Sequence, residues 1–159
     1  MAVPVYAESM IDEAVSRPAS PMIEARVLNA IRIRESRVAL VATGAFTVAE
    51  LARGRGTSAA AVHAWLRRAV ERHRLLSINN GGEVLVPAVL LDEALDPVPE
   101  WQPVLEVLAA TGLDDWQQWS WIMSPCSWLS DQVPAVVMAV NPERVLAAAV
   151  DQAEAANDR

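Results

Sequence analysis

The sequence predicts a mainly α fold: an N-terminal helix-turn-helix domain with a small β-hairpin wing, followed by a C-terminal helical domain. Three observations predict it. The stretch "TVAELARGRGTSAAAVHAWLRRA", Thr47 to Ala69, reads as helix, tight glycine turn, helix. Directly behind it, "LLSINNGGEVLVP" abandons the helical period for strand, turn, strand. Then "LDEALDPVPEWQP" brings three prolines and four acids, a seam beyond which helical spacing returns. The expected organisation is a mobile N-terminal arm over residues 1–20, a DNA-binding domain over 21–95 and a helical domain over 96–159.

The arm holds one short amphipathic patch, Val5, Met10, Ile11, Ala14 and Val15, before Pro18 and Pro21 interrupt it. Ser20-Pro21 supplies a cap and a first-turn proline. Ile23, Val27, Ala30, Ile31 and Val38 then keep helical spacing to about Thr43, and Gly44 ends the helix. Thr47 caps the next helix, with Glu50 in capping-box position. Gly54 and Gly56 are expected to make the turn, where positive φ favours glycine. Ser58 caps a helix whose inward stripe is Val62, Trp65, Leu66 and Ala69, crossing close to Leu51 and the small Ala52.

The wing is expected as strand Leu75–Ile78, turn Asn79–Gly82 and strand Glu83–Val86. Beyond the seam, a helix over Pro103–Ala110 closes at Gly112. Asp114, with Gln117 in capping-box position, starts a helix carrying Trp116, Trp119 and Trp121. "VPAVVMAV" is a short buried helix, and Asn141-Pro142 opens a last helix to about Ala155. Trp119 and Trp121 are expected in the core, Trp101 and Trp128 as candidate surface residues.

Charge divides the chain as well. The formal net charge is -7, yet Glu24–Gly82 holds ten arginines against four glutamates, while Glu83–Arg159 holds two arginines against thirteen acids. Such asymmetry points to two different partners, nucleic acid for the basic half and another surface for the acidic half. No apolar run approaches the ~20 residues of a membrane span, so no membrane role is expected. The N-terminus lacks the basic n-region of a secretory signal. With one cysteine, Cys126, no internal disulfide forms, and the expected location is the cytoplasm. His63 and His73, the two histidines, have no cysteine or carboxylate cluster to make a zinc site. Neither a phosphate loop nor a nucleophile elbow is present. The expectation is a binding protein, without cofactor, metal or catalytic residues.

On the recognition helix Ser58, His63 and Arg67 are the candidate base readers. Arg53, Arg55, Arg68, Arg72 and Arg74 are the candidate phosphate clamps. The exposed alanines Ala59, Ala60 and Ala64 offer methyl contacts but no hydrogen-bond code. A single copy thus binds weakly, and a homodimer on paired half-sites is expected.

Two stretches resemble the Xre/MbcA/ParS-like antitoxin family, partners of RES-domain toxins. One is "SAAAVHAWLRRAVERHRLLSINNGGEVLVPAVLLD"; the other runs from Glu100 to Ala149. In the second, Trp121, Pro125, Leu129 and Pro134 keep the family's spacing, while Cys126 stands where asparagine is usual and Asp131 where glycine is usual. The resemblance implies a type II toxin-antitoxin system antitoxin. Its C-terminal half docks on a NAD-degrading toxin through Trp128, Leu129, Asp131, Pro134 and Arg144; its helix-turn-helix represses the shared operon at operator duplex DNA, within a higher toxin-antitoxin complex. The alternative is a stand-alone winged helix-turn-helix transcription regulator whose helical half dimerises or binds a ligand.

Overall fold

The computed structural model describes residues 20–158. The described residues fall into two units that divide between Ser36 and Arg37. The expected arm, with its patch from Val5 to Val15, lies outside the described residues apart from Ser20. The described part is mainly helical, with seven α-helices and one small antiparallel sheet.

Helix α1, Pro21–Ala42, begins as its sequence predicts, with Ser20 Oγ accepting from the Ile23 N–H at 3.4 Å. Leu40 is its one buried residue. Gly44, at φ +122°, turns the chain into strand β1, Ala45–Thr47, which pairs antiparallel with β3. Helix α2, Val48–Arg55, is capped by Thr47, whose hydroxyl accepts from the Glu50 N–H at 3.1 Å. That is the half of the expected capping box that forms. Gly56, at φ +66°, is the left-handed cap that makes the turn. Gly54 is not part of the turn: it lies inside α2, where a methyl group would collide with Leu95 Cδ1.

Helix α3, Ala59–Glu71, starts at Ser58, whose Oγ accepts from the Ala61 N–H at 3.1 Å. Its buried side is Val62, Leu66 and Ala69, against which α2 sets Leu51 and Ala52. Trp65 is only half-buried, and the Arg55 guanidinium covers its ring, 4.0 Å from the centroid. Strands β2, Ile78–Asn80, and β3, Glu83–Pro87, complete a sheet of order β1-β3-β2. The hairpin is tighter than expected. Asn80 pairs with Glu83 across a two-residue Gly81-Gly82 turn with φ of +61° and +91°, the pattern of a type I′ turn. Leu75 and Leu76, expected in the first strand, precede it and are buried.

The second half is built from α4 (Trp101–Ala110), α5 (Asp115–Met123), α6 (Pro134–Met138) and α7 (Pro142–Asn157). The capping box at Asp114 closes fully: Asp114 Oδ1 accepts from the Gln117 N–H at 2.8 Å, and Gln117 Oε1 accepts from the Asp114 N–H at 2.9 Å. Asn141 caps α7, which packs on α4 and α6. Trp101, expected at the surface, is 1 % exposed at the start of α4. Trp119 is buried as expected, but Trp121 is only half-buried.

The boundary expected after Leu95 lies within the second unit, where one hydrophobic cluster runs from Leu40 to Ala149. Polar ties reinforce it. Arg55 Nη1 bonds Asp96 Oδ1 at 2.9 Å and the Leu95 carbonyl at 2.8 Å. Trp116 donates from Nε1 to the Asn79 carbonyl at 3.3 Å, and Arg37 lies 4.9 Å from the Trp116 ring centroid. The wing is therefore held by α5.

Partial burial, with the Asp114 carboxylate beside it, pushes the Asp115 carboxyl above the usual carboxylate range. The folded state then holds this proton more tightly than the unfolded one, so stability falls as pH rises through the raised pKa. Asp115→Asn is expected to melt slightly above wild type at pH 7. The difference should vanish below the ordinary carboxylate range, which thermal melts across pH will check.

Candidate nucleic-acid interface

Four residues of α3, Ala60, His63, Ala64 and Arg67, recur at i, i+3, i+4 and i+7, so they share one face. His63 and Arg67 are exposed there. With Leu66, Val70, Glu71, Ser77 and Val84 they line a groove of 320 Å³ between the helix and the hairpin. Ser58 stands exposed at the start of the same helix, its oxygen engaged in the cap. Arg68 and Arg72, also exposed, follow a second face four residues apart. Arg53 flanks the turn from the last turn of α2, and Arg74 leaves α3 toward the wing; both are exposed.

None of Arg53, Arg67, Arg68, Arg72 and Arg74 forms an ion pair among the described residues, so these cations face solvent. Arg55 differs. Its guanidinium is held by Asp96, the Leu95 carbonyl and the Trp65 ring, and it fastens the segment after the wing onto the helix-turn-helix. A fixed and neutralised arginine is a poor phosphate clamp.

Sequence reasoning passed over Glu71 and Ser77. Glu71 lies four residues after Arg67 and eight after His63, so helical spacing alone assigns it to the His63–Arg67 face. A carboxylate there repels phosphate and accepts only from a donor such as the cytosine amino group. The wing carries no arginine, and Glu83 is its one charged residue. Its tip, Asn80-Gly81-Gly82, offers shape and amide groups rather than charge.

The second expected surface divides into scaffold and display. Segment Cys126–Gln132 closes on itself: the Cys126 N–H donates to the Gln132 carbonyl at 3.0 Å, and the Asp131 N–H donates to the Cys126 carbonyl at 2.9 Å. Leu129 is fully buried, and Pro134 is buried at the start of α6, so neither can meet a partner directly. Trp128 is 48 % exposed, and Asp131 and Arg144 are exposed. Arg144 Nη1 bonds Gln132 Oε1 at 3.0 Å. Cys126 is buried and free.

Ser130 and Asp131 both hold left-handed backbone, φ +55° and +63°. Glycine fits there without a Cβ penalty, though it also loosens the unfolded chain. Asp131→Gly is therefore expected to change stability by no more than about 1 kcal/mol, whereas β-branched Asp131→Val should cost about 1–3 kcal/mol. Urea unfolding of both variants checks the ordering.

Among the described residues, no group of three or more histidine, cysteine or acidic side chains is placed to hold a metal. No described helix is long and apolar enough to cross a membrane. Comparison with known proteins adds little. No protein-family model and no curated protein matches the chain. Among solved structures the chain is similar to the NMR structure of Rv2175c, at 16% identity over 67% of this chain and 81% of that one, with a TM-score of 0.49.

Proposed function

We propose that this chain is a duplex-DNA-binding transcription regulator without catalytic activity. It lays α3 in the major groove beside the wing. One observation carries the reading: five solvent-facing arginines surround a capped helix whose His63–Arg67 face is open. Arg67 is the natural partner of guanine O6 and N7, while Arg53, Arg68, Arg72 and Arg74 grip phosphates on either side. The helix start favours phosphate too, because its first turn carries no acid to oppose the positive end of the helix dipole. With alanines at Ala59, Ala60 and Ala64 the code is short, and Glu71 narrows it by excluding sites that bring phosphate or an acceptor near. Selection from a randomised duplex pool tests this reading. Recovery of a short shared motif supports it, and an unenriched pool refutes it.

A second reading adds a protein partner to the same chain: a type II antitoxin that neutralises a RES-domain, NAD-degrading toxin and represses its own operon. The observation favouring it is the Cys126–Gln132 loop, which lies within the stretch of antitoxin-like spacing and exposes both the Trp128 indole and the Asp131 carboxylate. An acidic, aromatic loop complements a cationic pocket built for pyrophosphate. Under this reading Asp131→Arg and Trp128→Ala abolish rescue in coexpression with the toxin while leaving melting temperature and DNA binding unchanged. Full rescue by both variants removes the loop from consideration.

A further inference from the structure

Strand β2 lies at an edge of the sheet, in the order β1-β3-β2. The base of the wing is fixed by the core, since Ile78 and its cross-strand partner Leu85 are buried. Beyond that pair Asn79, Asn80, Gly81, Gly82 and Glu83 are all exposed, so the tip gains no rigidity from burial. Two hydrogen bonds that meet at Asn79 hold it instead. Trp116 Nε1 donates to the Asn79 carbonyl at 3.3 Å, and the Gly82 N–H donates to Asn79 Oδ1 at 2.9 Å. The ladder explains why that carbonyl is available. A two-residue turn makes Asn80–Glu83 a hydrogen-bonded pair, so the next pair, Asn79–Val84, is non-hydrogen-bonded and the Asn79 carbonyl faces away from β3.

The donor is itself held in place. The Trp116 ring stacks on Trp119, with centroids 5.7 Å apart and planes at 26°, and Trp119 is fully buried. Arg37 lies over the Trp116 ring. An indole offers one N–H and no acceptor, so a ring fixed in this way aims its hydrogen bond in one direction. The contacts run from the buried Trp119 through Trp116 to Asn79, and from Asn79 to the turn. We infer that Trp116 is a positioning residue for DNA reading: by fixing Asn79 it sets where the wing tip stands relative to α3, so that the C-terminal helical half contributes to affinity. The dimension it controls is the groove that Ser77 and Val84 of the wing line together with His63 and Arg67 of α3. The inference rests on the DNA-binding reading and brings a residue from the acidic half into it.

Trp116→Phe keeps a ring beside Trp119 and removes the N–H. In the free full-length chain, amide hydrogen exchange should quicken at Asn80, Gly81 and Gly82 and stay unchanged at Ile78, Leu85 and Val86. Affinity for a selected duplex should fall about two- to tenfold, the worth of one neutral hydrogen bond. Because the tip carries amides rather than cations, log K should drop by the same amount at every salt concentration, whereas loss of a phosphate-bound arginine lowers the slope. Asn80→Ala should weaken binding too, and adding Trp116→Phe to it should cost little more, since both variants lose the same tip contact. A role confined to stability would make the two losses additive. In wild type the indole N–H resonance of Trp116 should shift on saturation with duplex, a readout that needs no variant to fold. Unchanged affinity in Trp116→Phe, additive losses with Asn80→Ala, or an indole resonance that ignores the duplex each overturns the inference and leaves the DNA-binding reading standing. A wild type that binds no selected duplex defeats the reading itself, and the inference with it.

Discussion

Trp101→Ala is expected to destabilise the chain by about 3–5 kcal/mol, the cost of emptying a buried large aromatic site. Trp101 is 1 % exposed and belongs to the hydrophobic cluster that spans the second unit. Its loss should therefore lower one cooperative transition, followed equally by tryptophan fluorescence and far-UV circular dichroism in urea. Two transitions, only one of them moved, would show that residues 37–95 and 96–159 fold separately. Trp128→Ala supplies the contrast: half-exposed, it should shift the midpoint little.

Arg67→Ala is expected to cost about 1–3 kcal/mol in binding to a selected site and to relax preference at one base pair. Its face of α3 opens into the groove beside the wing, where a guanidinium can reach base edges. Arg55→Ala should behave differently. Because Arg55 bonds Asp96 and covers Trp65, its removal should lower the melting temperature, with loss of DNA binding following only through that instability. Asp96→Ala removes one of the three partners of Arg55 and should give a smaller loss in the same direction. Asp96 lies outside the basic face, so DNA binding that follows the melting temperature in both variants separates a structural arginine from a phosphate clamp.

Most of the helix-turn-helix was legible in the sequence because its signals are local. Ser58, Asp114 and Asn141 cap helices where expected, and Gly56 takes the left-handed turn. Strand β1 was not legible. Three residues, Ala45 to Thr47, are too few to show alternation, and the strand exists only because β3 pairs with it. Gly54 carries the same lesson, since the side chain packed against it is Leu95, 41 positions away. Trp101 was misplaced because the proline-rich stretch around it reads as a linker, whereas contacts distant in sequence bury the ring.

The candidate site was legible by residue type but not by partner. Arg55 and Arg53 look equivalent in sequence, and only Asp96 and Trp65 distinguish them. Leu129 and Pro134 kept an antitoxin-like spacing that scaffold and contact residues satisfy alike.

The central claim, that the basic face of α3 grips duplex DNA, is tested most directly by titrating a selected duplex at several salt concentrations with wild type and Arg68→Ala. The account predicts that log K falls linearly with log salt concentration. Arg68→Ala should bind more weakly to every sequence, with a slope reduced by about one unit. Undiminished affinity and an unchanged slope for Arg68→Ala, with Arg67→Ala equally silent, would contradict it.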